Sequence, residues 1–165
     1  MNAYTFSLDD FKFAQKHLRI LSGFYGLLRP LDMIQAHRLE MGTRLKNPEG
    51  KDLYSYWQDP VTRLLNRDIR ESEGPLINLA SNEYFKSVEK EKLKAPLVTP
   101  VFKDYKNGVY KIISLYAKRA RGMMSAFVIH NRLESAEQLK KFSEAGYQFS
   151  ATESDENQYM FHRKQ

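Results

Sequence analysis

LVTPVFKDYKNGVYKIISLYAKRARG, residues 97–122, decides the class of the fold. Two runs rich in β-branched and aromatic residues, Leu97–Phe102 and Val109–Leu115, flank the turn Asp104–Gly108. That turn ends in Asn107-Gly108, a pair that accepts positive φ at low cost and marks a β-hairpin between such runs. From about Tyr116 to Arg132 the pattern becomes helical. A hairpin feeding a helix requires strands and helices in one chain, so the class is mixed α and β.

Working outward, Ser135-Ala136-Glu137-Gln138 is a capping box. Tyr147–Ser150 and Gln158–His162 alternate apolar and polar residues and predict a second hairpin. Upstream, Pro75–Leu79 reads as a buried strand, and Ser81-Asn82-Glu83 opens a helix. Asp52 caps another through Leu53, Tyr56 and Trp57, with Pro60 kinking or restarting it before Leu64 and Leu65. Near the N-terminus Ser7 opens a helix that buries Phe11, Ala14, Leu18 and Leu21. Ser22-Gly23 stops it, and a second, short helix is expected near Pro30. The expected fold is α+β, with mixed helices and short strands or hairpins in one domain spanning residues 1–165 and a helix-hairpin-helix-like element near the N-terminus.

Composition excludes several function classes. Cysteine is absent, which removes disulfides, thiol catalysis and iron–sulfur ligation. No apolar run approaches the roughly 18 residues of a membrane span. The first ten residues, MNAYTFSLDD, lack the basic and apolar character of a signal peptide, so a cytoplasmic location is expected. His17, His37, His130 and His162 show no metal-ligand spacing, and no Gly-x-Ser-x-Gly, P-loop or dinucleotide fingerprint is present. No cofactor and no catalytic residue is assigned.

The charge is informative because it is localised. Residues 86–121 hold 10 Lys/Arg against 3 Asp/Glu, whereas residues 1–85 balance at 11 each and residues 122–165 hold 5 against 6. A clustered excess points to an anionic partner. Within that stretch Lys118, Arg119 and Arg121 fall near the expected start of a helix, where cations oppose the macrodipole unless an anion is bound. Ala117, Ala120 and Gly122 beside them leave room for a phosphate backbone. A second candidate is Leu18–Pro30 (LRILSGFYGLLRP), in which Gly23 and Gly26 can turn backbone N–H groups outward while Arg19 and Arg29 flank the turn. Both patterns suit phosphate groups read without regard to base sequence. An alternative is an enzyme acting on a nucleotide or other phosphate-bearing small molecule, using Arg38, Glu40, Ser114, Tyr116 and Lys118. Lys86, Lys90, Lys92 and Lys94, interleaved with Glu89 and Glu91, read as a solvated surface.

Five stretches resemble one known family: Phe11–Pro30 (FKFAQKHLRILSGFYGLLRP), Leu31–Leu45 (LDMIQAHRLEMGTRL), Gly50–Trp57 (GKDLYSYW), Ile77–Phe85 (INLASNEYF) and Lys111–Gly122 (KIISLYAKRARG). In order and spacing they are similar to the YaaA family. The resemblance implies an intracellular DNA-binding protein of the peroxide and oxidative stress response that protects DNA from oxidative damage and limits free iron. It also implies a helix-hairpin-helix element, carried here by Gly23 and Gly26, and a positively charged cleft that includes Lys118, Arg119 and Arg121. Family members carry a further N-terminal segment with a Ser-Pro-Ala-Lys stretch, so this chain corresponds to the C-terminal two-thirds of such a protein and its fold is expected to be incomplete relative to the family. The expected partner is DNA, duplex or structured, bound without sequence specificity and with no membrane involved.

Overall fold

Helices and short strands alternate along the chain in a computed structural model that describes residues 1–72 and 74–164. In order they are α1 (Leu8–His17), β1 (Ile20–Ser22), β2 (Gly26–Leu28), α2 (Leu53–Ser72), β3 (Leu76–Ile77), α3 (Asn82–Phe85), β4 (Leu97–Lys106), β5 (Val109–Lys111), α4 (Ser114–His130), β6 (Gln148–Phe149) and β7 (Gln158–Arg163). They group into two units. One comprises Leu8–Glu73 and Ala80–Ala95; the other comprises Met1–Ser7, Gly74–Leu79 and Pro96–Gln165. Among the described residues no helix is long and apolar enough to cross a membrane.

The first unit is organised by α2. Asp52 accepts hydrogen bonds from the Ser55 backbone N–H and hydroxyl, both at 2.9 Å, which caps the helix as expected. Leu53, Val61 and Leu65 are buried along one stripe. Pro60 lies inside the helix without ending it. On a polar stripe Gln58, Thr62 and Asn66 recur every four residues and hold the chain after α3. Gln58 donates to the Lys86 carbonyl, Thr62 accepts from the Glu89 N–H, and Asn66 bonds the Lys92 carbonyl and Lys94 N–H. That segment is thus fixed through its backbone, and the side chains of Lys86, Lys90, Lys92 and Lys94 are exposed.

The structure differs from expectation immediately after α1. Ile20–Ser22 and Gly26–Leu28 pair antiparallel, so α1 is followed by a β-hairpin rather than by the second helix of a helix-hairpin-helix. Pro30 keeps Arg29 out of helical geometry. Asp32 then closes a turn by accepting the Arg29 N–H at 2.8 Å, while its own N–H donates to the Arg29 carbonyl.

The second unit is a five-stranded sheet covered by α4. β3 lies parallel to β4, β4 parallel to β7 from Thr99↔Gln158 to Asp104↔Arg163, and β6 antiparallel to β7. β5 pairs antiparallel with the end of β4. Asn107 and Gly108 have φ of 56° and 83°, so the Asn-Gly turn forms as the sequence predicts. The second arm is shorter than expected, because α4 begins at Ser114. Val98, Phe102 and Phe161 from the sheet pack with Ala117, Ala120 and Met124 of α4 and with Leu139, Phe142 and Tyr147 of the following segment. The tail hairpin is present as β6 and β7. Its parallel pairing with β4 depends on contacts distant in sequence, which period alone does not reveal.

Candidate nucleic-acid interface

The start of α4 is held by a buried ionic and aromatic cluster. Asp104, 2% exposed, accepts the Tyr147 hydroxyl at 2.9 Å and the Arg163 Nε at 2.6 Å. The Arg163 guanidinium also lies 4.5 Å from the Tyr147 ring centroid and 5.0 Å from that of Tyr116, in the first turn of α4. Burial, and then the Asp104 carboxylate, push the Tyr147 hydroxyl well above its ordinary pKa, so it stays a donor. β4, β7 and α4 are therefore tied together directly beneath the basic element.

On that support Lys118 and Arg119 are exposed and Arg121 is half-buried. None of the three has an ion-pair or hydrogen-bond partner for its side chain among the described residues. Burial lowers the pKa of the Arg121 guanidinium, which nonetheless remains charged at neutral pH. Because α4 opens at Ser114, these cations occupy its second turn rather than its first, and the macrodipole opposes them only weakly. The first turn contains no acid, and Ile113 at the N-cap offers no side-chain bond to its backbone N–H groups. Ser114, Lys118 and Arg121 recur on one side of the helix at spacings of four and three. The small residues do something other than admit a phosphate backbone. Ala117 and Ala120 are 3% and 0% exposed in the core, and a Cβ at Gly122 would come within 3.0 Å of the Met1 nitrogen.

The N-terminal candidate is arranged differently. Arg19 is 13% exposed in its side chain and donates through Nε to Asp68 at 2.5 Å. Its Nη1 donates to the carbonyls of Gln15, Lys16 and Leu18, which closes the end of α1. Gly23 and Gly26 are sites of close approach. A Cβ on Gly23 would lie 2.4 Å from the Leu39 carbonyl oxygen, and one on Gly26, where φ is +73°, would lie 2.5 Å from the Trp57 ring. The Trp57 indole N–H donates to the Gly23 carbonyl at 2.9 Å. Arg29 is 42% exposed, and its guanidinium stands 3.9 Å from Asp68. Of the four residues assigned here from sequence, only Arg29 presents a charged group to solvent.

Arg67 and Asp68 lie outside the candidates that the sequence suggests. Arg67 donates to Asp68 through Nε and Nη2 at 3.2 and 3.1 Å and is half-exposed. Burial raises the pKa of Asp68, but Arg19 and then Arg67 outweigh it and hold the carboxyl below its ordinary range. An acid at the end of the apolar stripe of α2 is the available signal, since a buried carboxylate requires a cation. The residues of the enzymatic alternative fall in different units: Arg38 and Glu40 in the first, Ser114, Tyr116 and Lys118 in the second. Arg38 and Glu40 form an exposed ion pair at 3.8 Å.

A family model described as peroxide stress protein YaaA matches residues 1–153. The chain belongs to this family. Similar proteins designated UPF0246 come from Teredinibacter turnerae, 57% identical over 166 residues, and from Alteromonas mediterranea, 54% identical over 166 residues. Another, from Ralstonia pickettii, is 56% identical over 165 residues. These matches cover 99–100% of this chain but only 64–65% of each relative, so this YaaA-family chain spans about two-thirds of their length.

Proposed function

We propose that this YaaA-family chain binds DNA through its phosphate backbone, with little base specificity, as part of a peroxide-stress protein that protects DNA from oxidative damage. The observation that carries the reading is the start of α4, where Lys118 and Arg119 are exposed and, with Arg121, lack any protein anion among the described residues. Three side-chain cations beside an uncapped helix start form an electropositive surface on a fixed support. Lys and Arg contacts to phosphate position a duplex without reading its bases. The iron-limiting role that family resemblance implies is proposed for the complete protein; among the described residues no three His, Asp or Glu gather as metal ligands.

The test is titration of labelled duplexes of two unrelated sequences at several salt concentrations. Affinity should fall steeply with salt and differ little between the sequences. Replacing Lys118, Arg119 and Arg121 together with Ala should weaken binding at least several-fold, since each exposed phosphate contact is worth about 1 kcal/mol or less and three act together. Equal binding by the parent and the triple variant at every salt concentration would remove the α4 surface from the interface.

A further inference from the structure

We propose that the depression between β2 and α2, bordered by Arg19, Arg29, Arg67 and Asp68, is a second anion site that takes one phosphate group. It measures about 280 Å³, and Leu27 and Leu64 form its apolar wall. The DNA reading would make a phosphodiester the source of that group, and to that extent the inference rests on it. The site itself rests on the geometry of the first unit alone.

Charge and donor count both point to an anion. Three guanidinium groups face two carboxylates, Asp68 and Asp32, which leaves one positive charge uncompensated. Asp68 is 11% exposed, and its two oxygens are already taken, Oδ2 by Arg19 and Oδ1 by Arg67. Arg29 makes no side-chain hydrogen bond among the described residues; its one contact, to Asp68, is 3.9 Å long. Asp32 accepts the Arg29 backbone N–H rather than the guanidinium. Arg29 therefore keeps its full set of donors, Arg67 keeps its outer ones, and the two are 42% and 50% exposed. A singly charged phosphate diester matches the residual charge, and its oxygens suit two guanidinium forks. Arg19 serves the site indirectly, because with Asp68 it fixes the floor against which the other two arginines are held.

Two measurements on the full chain test this. In the first, inorganic phosphate is titrated against the protein while the Arg29 and Arg67 Nε–Hε resonances are followed by NMR, with chloride at equal ionic strength as the control. A saturable shift of both with phosphate and not with chloride is expected. No such shift, or equal shifts with both salts, overturns the site. In the second, duplex affinity is measured against salt for the parent and for the Arg29→Gln/Arg67→Gln variant, which leaves the Arg19–Asp68 pair intact. The variant should bind several-fold more weakly, with a salt slope shallower by about one unit for each phosphate it no longer neutralises. Phosphate binding with an unchanged slope would assign the site to a free phosphate-bearing molecule and overturn the phosphodiester source. Failure of the parent to bind duplex would end the DNA reading while leaving the NMR result to decide the site.

Discussion

Arg19 and Arg119 carry the same charge, and the chain uses them in opposite ways. Arg19 is largely enclosed, its side chain 13% exposed, and bonded to Asp68 and to three carbonyls at the end of α1. Arg119 is exposed on α4 with no partner among the described residues. The number of basic residues in a segment therefore says less about ligand binding than the number of donors the fold leaves unused. By that measure the glycine hairpin is chiefly scaffold with one exposed cation, Arg29, whose guanidinium makes no hydrogen bond among the described residues, and α4 is a surface.

The comparison breaks most visibly at Gly26. If the hairpin is scaffold, Gly26→Val must force a Cβ into Trp57 at a backbone φ of +73°, and the loss of stability should be about 2–5 kcal/mol. Gly108 also has positive φ, at +83°, but nothing lies within 4 Å of its missing Cβ, so Gly108→Ala should cost only about 1 kcal/mol of strain. Denaturant unfolding of both variants checks this. Similar losses would mean that close packing of Gly26 on Trp57 contributes little.

Next in size is Asp68→Ala, which leaves the largely enclosed Arg19 guanidinium without its closest carboxylate. A loss of about 2–3 kcal/mol is expected, together with weaker closure of the end of α1. A change below about 0.5 kcal/mol would show that the carbonyl contacts alone hold Arg19.

Much of the fold is legible in local signals, and the site much less. Asn107-Gly108 marks its turn because both residues must adopt positive φ, and Asp52 marks its helix start because a carboxylate satisfies free N–H groups. The parallel pairing of β4 with β7 is not legible, since its energy comes from Phe102 and Phe161 meeting across a long intervening chain. Gly23 and Gly26 stand out in the sequence, but for a reason the structure corrects: sequence shows that a Cβ is absent, not whether a phosphate or Trp57 fills the space. The burial of Arg19 is hidden in the same way, because its partner lies 49 residues away.

A smaller effect separates the two regions by pH. The Asp68 carboxyl has a lowered pKa in the folded chain, so its contribution to stability is fully present above the ordinary carboxylate pKa of about 3.9 and is lost as pH falls through the folded value. The parent should lose stability across that acid window, and Asp68→Asn should show a shallower loss there than the parent. Denaturant midpoints from about pH 5 down to about pH 2 measure it. Parallel curves for the two proteins would show that Asp68 ionisation is not coupled to folding.

The smallest expected effect is the most discriminating, because it concerns cations that do no structural work. Lys118 and Arg119 are exposed in the second turn of α4, beyond the strongest field of the helix terminus, and have no carboxylate to lose. The Lys118→Ala/Arg119→Ala variant should therefore unfold within about 0.5 kcal/mol of the parent, and Ala's helix propensity favours the variant slightly. Arg121 differs: it is half-buried, so Arg121→Ala should cost up to about 1 kcal/mol through lost burial of its stem rather than through charge. Arg19→Ala supplies the opposite control, since it leaves Asp68 with only Arg67 and Arg29 and uncovers the end of α1, and it should destabilise several times more. If instead the double variant at 118 and 119 fell as far as Arg19→Ala, those side chains would be bound within the protein, and the surface that distinguishes α4 from the hairpin would not exist.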